Sequence, residues 1–128
     1  MILVLGDTIK REVPMDDSIL NTIKKQLGIT EDYTVFDNDL IMHINSVFLT
    51  LSQLGVGPDE GFFIEGKTDS WTDYIDEGVL LNSIKTYVYL KVKLLFDPPG
   101  SSYAIDAINN IIKELEWRIN VQVENKTK

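Results

Sequence analysis

Residues 80–100 read LLNSIKTYVYLKVKLLFDPPG, and this stretch predicts how the chain is organised. Its apolar residues surround most of a helical circumference, which is typical of a helix that other elements contact from several sides. The helix must end at residues 97–100, because proline lacks the backbone N–H that a helix requires and the following glycine adds a flexible joint. The sequence therefore predicts a long central helix over residues 80–96, followed by a break.

Two other helices are predicted before the central one. The first has apolar residues at helical spacing between residues 19 and 27, with Asp16 or Asp17 as its N-cap and Gly28 at its end. The second begins at Asp37, whose carboxylate suits the positive end of a helix, and ends at Gly55. Each has an apolar face that can join a common core.

A last helix is predicted after the break, with Ser101 or Ser102 as its cap. Its apolar face follows helical spacing up to residue 119 and consists of Ala104, Ile108, Ile111, Ile112, Leu115 and Ile119. Trp117 lies off this face or at its edge. Because isoleucines already fill the face, Trp117 suits a contact with another protein as well as it suits the core.

These patterns predict an all-α fold, a small bundle of four to five helices with flexible N- and C-terminal arms. An irregular acidic loop over residues 57–78 contains one extended piece at residues 62–64 and a helical turn over residues 70–75. We expect residues 1–14 to form an N-terminal arm or extension, residues 15–119 the helical domain, and residues 120–128 a C-terminal tail that is loose or is ordered by a partner.

Charge and composition narrow the classes of function. The chain of 128 residues has a net charge of −8 and no cysteine, so it forms no disulfide and no cysteine-based zinc site. Between residues 30 and 79 eleven acidic residues stand against the single cation Lys67, which opposes sequence-specific DNA binding. Three lysines interrupt the central apolar stretch and argue against a membrane span, and the apolar N-terminus is too short for a signal peptide.

Motifs for catalysis are weak. Asp39 and His43 are four residues apart on the second predicted helix, where a surface pair is more common than an oriented general base. The sequence contains no metal-ligand set, phosphate-binding loop or nucleophile–base pair. We therefore expect no enzyme, cofactor or metal, with a small enzyme using Asp39 and His43 as the catalytic alternative.

Two stretches carry a family resemblance: MDDSILNTIKKQLGI at residues 15–29 and LLFDPPGSSYAIDAINNIIKELEWRINV at residues 94–121. They resemble the head-tail connector (adaptor) proteins of long-tailed bacteriophages and prophages of Gram-positive hosts. The likeness extends from residue 15 to residue 123, and its most specific parts are Phe-Asp-Pro-Pro at residues 96–99 and Leu-Glu-Trp-Arg at residues 115–118.

The resemblance implies a structural protein of the virion neck that is assembled in the host cytoplasm. Its copies would form a ring, with twelve-fold symmetry, beneath the portal protein and would join the DNA-filled head to tail-completion or stopper proteins. The resemblance also implies that the last helix and tail contact the portal or a neighbouring copy. The residues concerned are Glu116, Trp117, Arg118, Ile119, Val121 and Val123.

DNA would only pass through such a ring, without specific binding. We expect Asp69, Asp73 and Asp76 of the acidic loop to line the channel, where their charge would repel phosphates and keep DNA sliding. The same charge permits a second interpretation, an acidic protein-binding module that mimics DNA and inhibits a nucleic-acid enzyme. Such a module would stay a monomer or dimer and would bind its target less tightly as salt rises.

Overall fold

The all-α bundle predicted from the sequence is confirmed. The computed structural model describes residues 13–14 and 16–126, so the predicted arm over residues 1–14 lies almost wholly outside the described residues. Five helices follow one another along the described chain. They are α1 (Ile19–Gln26), α2 (Asp37–Gln53), α3 (Trp71–Tyr74), α4 (Val79–Phe96) and α5 (Ser102–Lys126).

Helix α4 is the central element, as its apolar circumference predicts. It packs against both α2 and α5. It contributes five buried side chains to the core, namely Leu81, Ile84, Tyr87, Val88 and Val92. Helix α2 supplies the facing layer with Leu40, Ile44, Val47, Phe48 and Leu51. Burial of such aliphatic and aromatic side chains contributes about 1.5–3 kcal/mol each to folding. The α2–α4 contact, with five buried side chains on each helix, is therefore a large part of what stabilises the domain.

The start of the domain is joined to the acidic loop by backbone hydrogen bonds. The Ile19 N–H donates to the Asp69 carbonyl at 3.0 Å, and the Trp71 N–H donates to the Asp17 carbonyl at 2.9 Å. The Trp71 indole is fully buried and donates to the Thr22 hydroxyl at 2.9 Å. These bonds hold the short helix α3 against α1, so residues 69–74 form a fixed part of the bundle.

Two predicted helix caps are wrong. Ser18 caps α1 in place of Asp16 or Asp17, since its Oγ accepts a hydrogen bond from the Asn21 N–H. Helix α2 has Phe36 at its N-cap position and no side-chain cap. The carboxylate of Asp37 turns instead toward the buried ammonium of Lys24, 2.8 Å away. A long-range ion pair has therefore replaced the local capping bond.

Helix α5 is longer than the sequence pattern predicts. It continues to residue 126, so residues 120–126 are helical and the prediction of a loose tail from residue 120 is corrected. The predicted N-cap at Ser101 is confirmed, because its hydroxyl accepts a hydrogen bond of 3.1 Å from the Ala104 N–H. Ile111, predicted for the apolar face, is 46% exposed.

None of the helices that the structure describes has the length and apolarity needed to cross a membrane.

Candidate functional site

The last helix, α5, carries the residues for which the sequence predicts a protein contact. At about 1.5 Å per residue, its 25 residues extend over roughly 37 Å. One side of the helix faces α4, and among its described side chains Ile112 and Ile119 are buried there. The remaining circumference is exposed or half-buried. Helix α5 therefore has a solvent-accessible side that is available for contact with another protein.

Three of the six predicted contact residues face the bundle. Ile119 is 0% exposed and is a core residue, so its side chain is not available to a partner in this structure. Glu116 is half-buried and accepts a hydrogen bond of 2.7 Å from the Tyr87 hydroxyl. Val123 lies so close to Gly55 that a Cβ on the glycine would approach its Cγ1 to 3.1 Å. These three side chains attach α5 to the rest of the domain.

The other three predicted contact residues reach the surface. Trp117 is 65% exposed, Arg118 is exposed with its Nε 3.6 Å from Glu114 Oε2, and Val121 is half-buried. Residues four apart lie on the same side of a helix, which places Val121 beside Trp117. Tyr103 is 85% exposed and precedes Trp117 by two heptads on that side. We call Tyr103, Trp117 and Val121 the α5 outer face.

Burial and the hydrogen bond to Glu116 both favour the neutral form of Tyr87. Burial raises the pKa of Tyr87 above its ordinary value of 10, and the hydrogen bond to Glu116 and the negative charge of that carboxylate raise it further. Burial alone raises the pKa of Tyr74. Both hydroxyls are therefore neutral near pH 7, and the hydroxyl of Tyr87 remains a donor to α5.

The three aspartates predicted to line a DNA channel have different surroundings. Asp69 is half-buried, and its Oδ2 accepts hydrogen bonds from the N–H groups of Glu65 and Gly66 at 2.7 and 3.1 Å. Its carboxylate therefore shapes the loop itself. Asp73 lies in the first turn of α3 and Asp76 follows that helix, and both side chains are exposed. Of the three, these two present their charge to solvent.

A second apolar surface lies on α2, where sequence analysis assigns no function. Leu49 and Phe63 are 63% and 65% exposed and border a groove of about 400 Å³ that Phe62 also lines. Asp59 and Glu60 line the same groove and are exposed. We call this site the α2 groove. Phe62 and Phe63 belong to the piece predicted as extended. Their proximity to Leu49 on α2 could not be predicted, because helical spacing relates only residues of the same helix.

One sequence signal for this surface exists on α2 itself. Met42 and Leu49 are seven residues apart, which places them on one side of the helix, and both are more than 60% exposed. They lie opposite the buried face formed by Leu40, Ile44, Val47, Phe48 and Leu51. Two large apolar residues on the polar side of an amphipathic helix are the feature that sequence reasoning missed.

The residues of the catalytic alternative do not form a site. Asp39 is exposed, and the half-buried His43 ring lies 6.4 Å from the Phe96 ring, measured between centroids. Within the described chain, no hydrogen bond or ion pair joins Asp39 to His43. Residues 16–126 also contain no group of three or more His, Asp or Glu side chains that is arranged to hold a metal ion.

Comparison with known proteins and families identifies the family of this chain. A search of curated proteins and a search of solved structures found nothing that matches this chain. The model of the family described as phage connector protein matches residues 19–126, which include all five helices. The description is that of a structural component of the phage particle. The chain belongs to the phage connector protein family.

Proposed function

We propose that this protein is a head-tail connector (adaptor) of the virion neck. Its copies form a twelve-fold ring beneath the portal protein and join the DNA-filled capsid to the tail-completion or stopper proteins. The role is structural, with no catalysis and no cofactor, and assembly takes place in the host cytoplasm. DNA passes through the ring without specific binding.

The observation that carries this proposal is the α5 outer face within the matched family region. Trp117 is 65% exposed although it belongs to a 25-residue helix that spans the domain. Tryptophan is enriched among the residues that dominate protein interfaces, and a large exposed aromatic favours a partner. A closed ring and a portal contact both require such surfaces on a subunit of this size.

The acidic segment suits passage of DNA. Asp73 and Asp76 are exposed at and after α3 and belong to a stretch with eleven acidic residues and one cation. Carboxylates that face a channel repel phosphates, so the channel wall offers no cations that would bind DNA and slow its passage. We propose that these two residues, and not the half-buried Asp69, line the channel.

The proposal is tested by mixing the purified protein with the portal ring encoded in the same genome and measuring the mass of the complex. We expect a mass increase that corresponds to twelve added chains of 14.6 kDa. Trp117→Ala should weaken or abolish this increase. Ile111→Ala is the matched control, because it removes a 46% exposed apolar side chain from the same helix at a different angle.

If the wild-type chain adds no mass to a folded portal ring at several concentrations, the connector proposal fails. The acidic DNA-mimic inhibitor would then become the better interpretation, and salt dependence separates the two. Association through apolar surfaces tolerates salt, whereas binding of an acidic surface to a basic enzyme weakens steeply as ionic strength rises.

A further inference from the structure

Two apolar surfaces of this protein lie on different helices of the same layered bundle. Helices α2 and α5 both pack against α4 with their buried faces. The opposite side of α2 borders the α2 groove, and the opposite side of α5 carries the α5 outer face. Because the two surfaces lie on different helices and share no residue, one copy can present the first to one neighbour and the second to another. Head-to-tail closure of a ring requires this arrangement.

The α2 groove is held in shape by bonds within the domain. The Asn45 side chain donates to the Ile64 carbonyl at 3.0 Å and accepts from the Ile64 N–H at 2.7 Å, which ties the loop to α2. The ring of Phe62 packs edge-on against the ring of Phe48, with 5.3 Å between the centroids, and in a tilted arrangement against the ring of Tyr74, with 4.9 Å between the centroids. A groove fixed in this way accepts a side chain without the cost of ordering its walls.

The charges at the two surfaces are complementary. Asp59 and Glu60 supply two carboxylates to the groove. On α5, Lys113 lies one turn before Trp117 and Arg118 follows it, and both are exposed. Arg118 is paired with Glu114 only at 3.6 Å between exposed side chains, a contact worth little in water. The guanidinium can therefore turn toward another carboxylate.

We propose that Trp117 of one copy inserts into the α2 groove of a second copy, between Leu49 and Phe63. Lys113 and Arg118 then face Asp59 and Glu60 across the junction. The proposal rests on the ring of the proposed function and specifies which surfaces meet within it. Repetition of this heterologous contact around the ring gives every copy one occupied groove and one inserted tryptophan.

The test uses cross-linking in a chain that contains no cysteine. Two single-cysteine variants, Glu60→Cys and Arg118→Cys, are distinguished by a tag, mixed, assembled on the portal ring and oxidised. Each chain carries one thiol, so every disulfide joins two copies. We expect the mixed pair to cross-link efficiently, while either variant alone yields little, because like positions do not meet in a head-to-tail junction.

The mass of the assembled complex is measured on the same samples, and this separates the two proposals. A complete ring without mixed cross-links overturns the inference and leaves the connector role standing. Efficient cross-links between two Arg118→Cys chains also overturn it, because they show a symmetric contact. If the wild-type chain, assembled in parallel on the same portal ring, forms no ring, the connector role itself fails.

A charge exchange gives a second, independent readout. Glu60→Arg and Arg118→Glu should each weaken ring assembly about tenfold, and the double variant should recover most of the loss because the charges face each other again. Both side chains are exposed, so neither change threatens the fold. If the loss of ring assembly in the double variant equals the sum of the losses in the two single variants, the proposed contact is contradicted.

Discussion

The Tyr87 hydroxyl donates a hydrogen bond of 2.7 Å to the Glu116 carboxylate and thereby links the central helix α4 to the last helix α5. Glu116 is the residue before Trp117, so the bond sets the rotation of α5 about its axis near the exposed tryptophan. Together with the buried side chains of Ile112 and Ile119, this contact fixes which side of the last helix faces outward.

Replacement of Tyr87 by phenylalanine tests the strength of this link. A hydrogen bond to a charged group contributes about 1.5–3 kcal/mol when buried, and we expect about 1–2 kcal/mol here because Glu116 is partly hydrated. Urea denaturation measures the loss. Tyr103→Phe is the matched control, since its hydroxyl belongs to a side chain that is 85% exposed and should change stability little. Equal stability of the two variants would contradict the prediction.

Stability should fall at alkaline pH. The pKa values of Tyr74 and Tyr87 are raised by burial, so the folded state holds both phenolic protons more tightly than the unfolded state, whose tyrosine pKa is about 10. This stabilisation is complete below pH 10 and is lost above it, at about 1.4 kcal/mol per pH unit for each tyrosine. Urea midpoints between pH 8 and 11 should show a shallower decline in the Tyr74→Phe/Tyr87→Phe double variant.

Lys24 and Asp37 should respond unequally to substitution. The Lys24 side chain is 1% exposed, and its ammonium donates to the Glu31 carbonyl at 3.0 Å and pairs with Asp37 at 2.8 Å. Asp37→Asn leaves a buried charge without its counter-ion and should cost about 2–4 kcal/mol. Lys24→Met removes the buried charge and leaves Asp37, whose side chain is 24% exposed, to water, so its cost in unfolding free energy should be smaller. The reverse order in urea denaturation would refute this account.

Gly57 should tolerate alanine less well than Gly61. Both have a positive φ, of +88° and +90°, which costs an L-residue about 1–2 kcal/mol. A Cβ at Gly57 would also lie 2.6 Å from the Tyr74 ring, whereas in the described part of the chain no atom outside Gly61 and its two chain neighbours would lie within 4 Å of a Cβ at Gly61. We expect losses of about 2–4 kcal/mol and about 1–2 kcal/mol, respectively, by thermal or urea unfolding.

Charge reversal should reveal whether the acidic segment faces DNA. Asp73→Lys together with Asp76→Lys would introduce cations that attract phosphates, so genome ejection from assembled particles should slow. Asp32→Lys with Asp106→Lys changes the net charge equally at two other exposed sites and serves as the control. Unchanged ejection kinetics in the first variant would count against a channel position. Asp69 is unsuitable for this test because its carboxylate accepts two backbone hydrogen bonds.

Sequence patterns were sufficient for the existence of the helices and for the N-cap of α5, but they misassigned the N-caps of α1 and α2. The ends of α2 and α4 follow from Gly55 and from the Pro-Pro break, because those residues act through local geometry. The capping role predicted for Asp37 failed because Lys24 competes for the carboxylate from another helix. The helical state of residues 120–126 depends on contacts such as that of Val123 with Gly55, which are distant in sequence.

The candidate site was predictable in part. The sequence leaves Trp117 open between the core and a protein contact, because isoleucines already fill the apolar face, and the structure exposes it. The role of Glu116 did not follow, because helical angle alone cannot tell which polar residue meets Tyr87. The burial of Ile119 agrees with the apolar face predicted for it and not with its place among the predicted contact residues. The α2 groove is formed by α2 and by a loop that precedes α3. The spacing of residues along the sequence does not indicate that this helix and this loop lie side by side.

The unequal exposure of the two tryptophans also allows folding and assembly to be followed by intrinsic tryptophan fluorescence. Trp71 is 0% exposed and Trp117 is 65% exposed, so their indoles sit in environments of contrasting polarity. Emission from the first should shift to longer wavelength when the domain unfolds, and emission from the second should shift to shorter wavelength when its surface is covered. The Trp117→Phe variant gives the emission of Trp71 alone. Comparison of this emission with that of the wild-type chain separates the signal of unfolding from the signal of assembly without an added label.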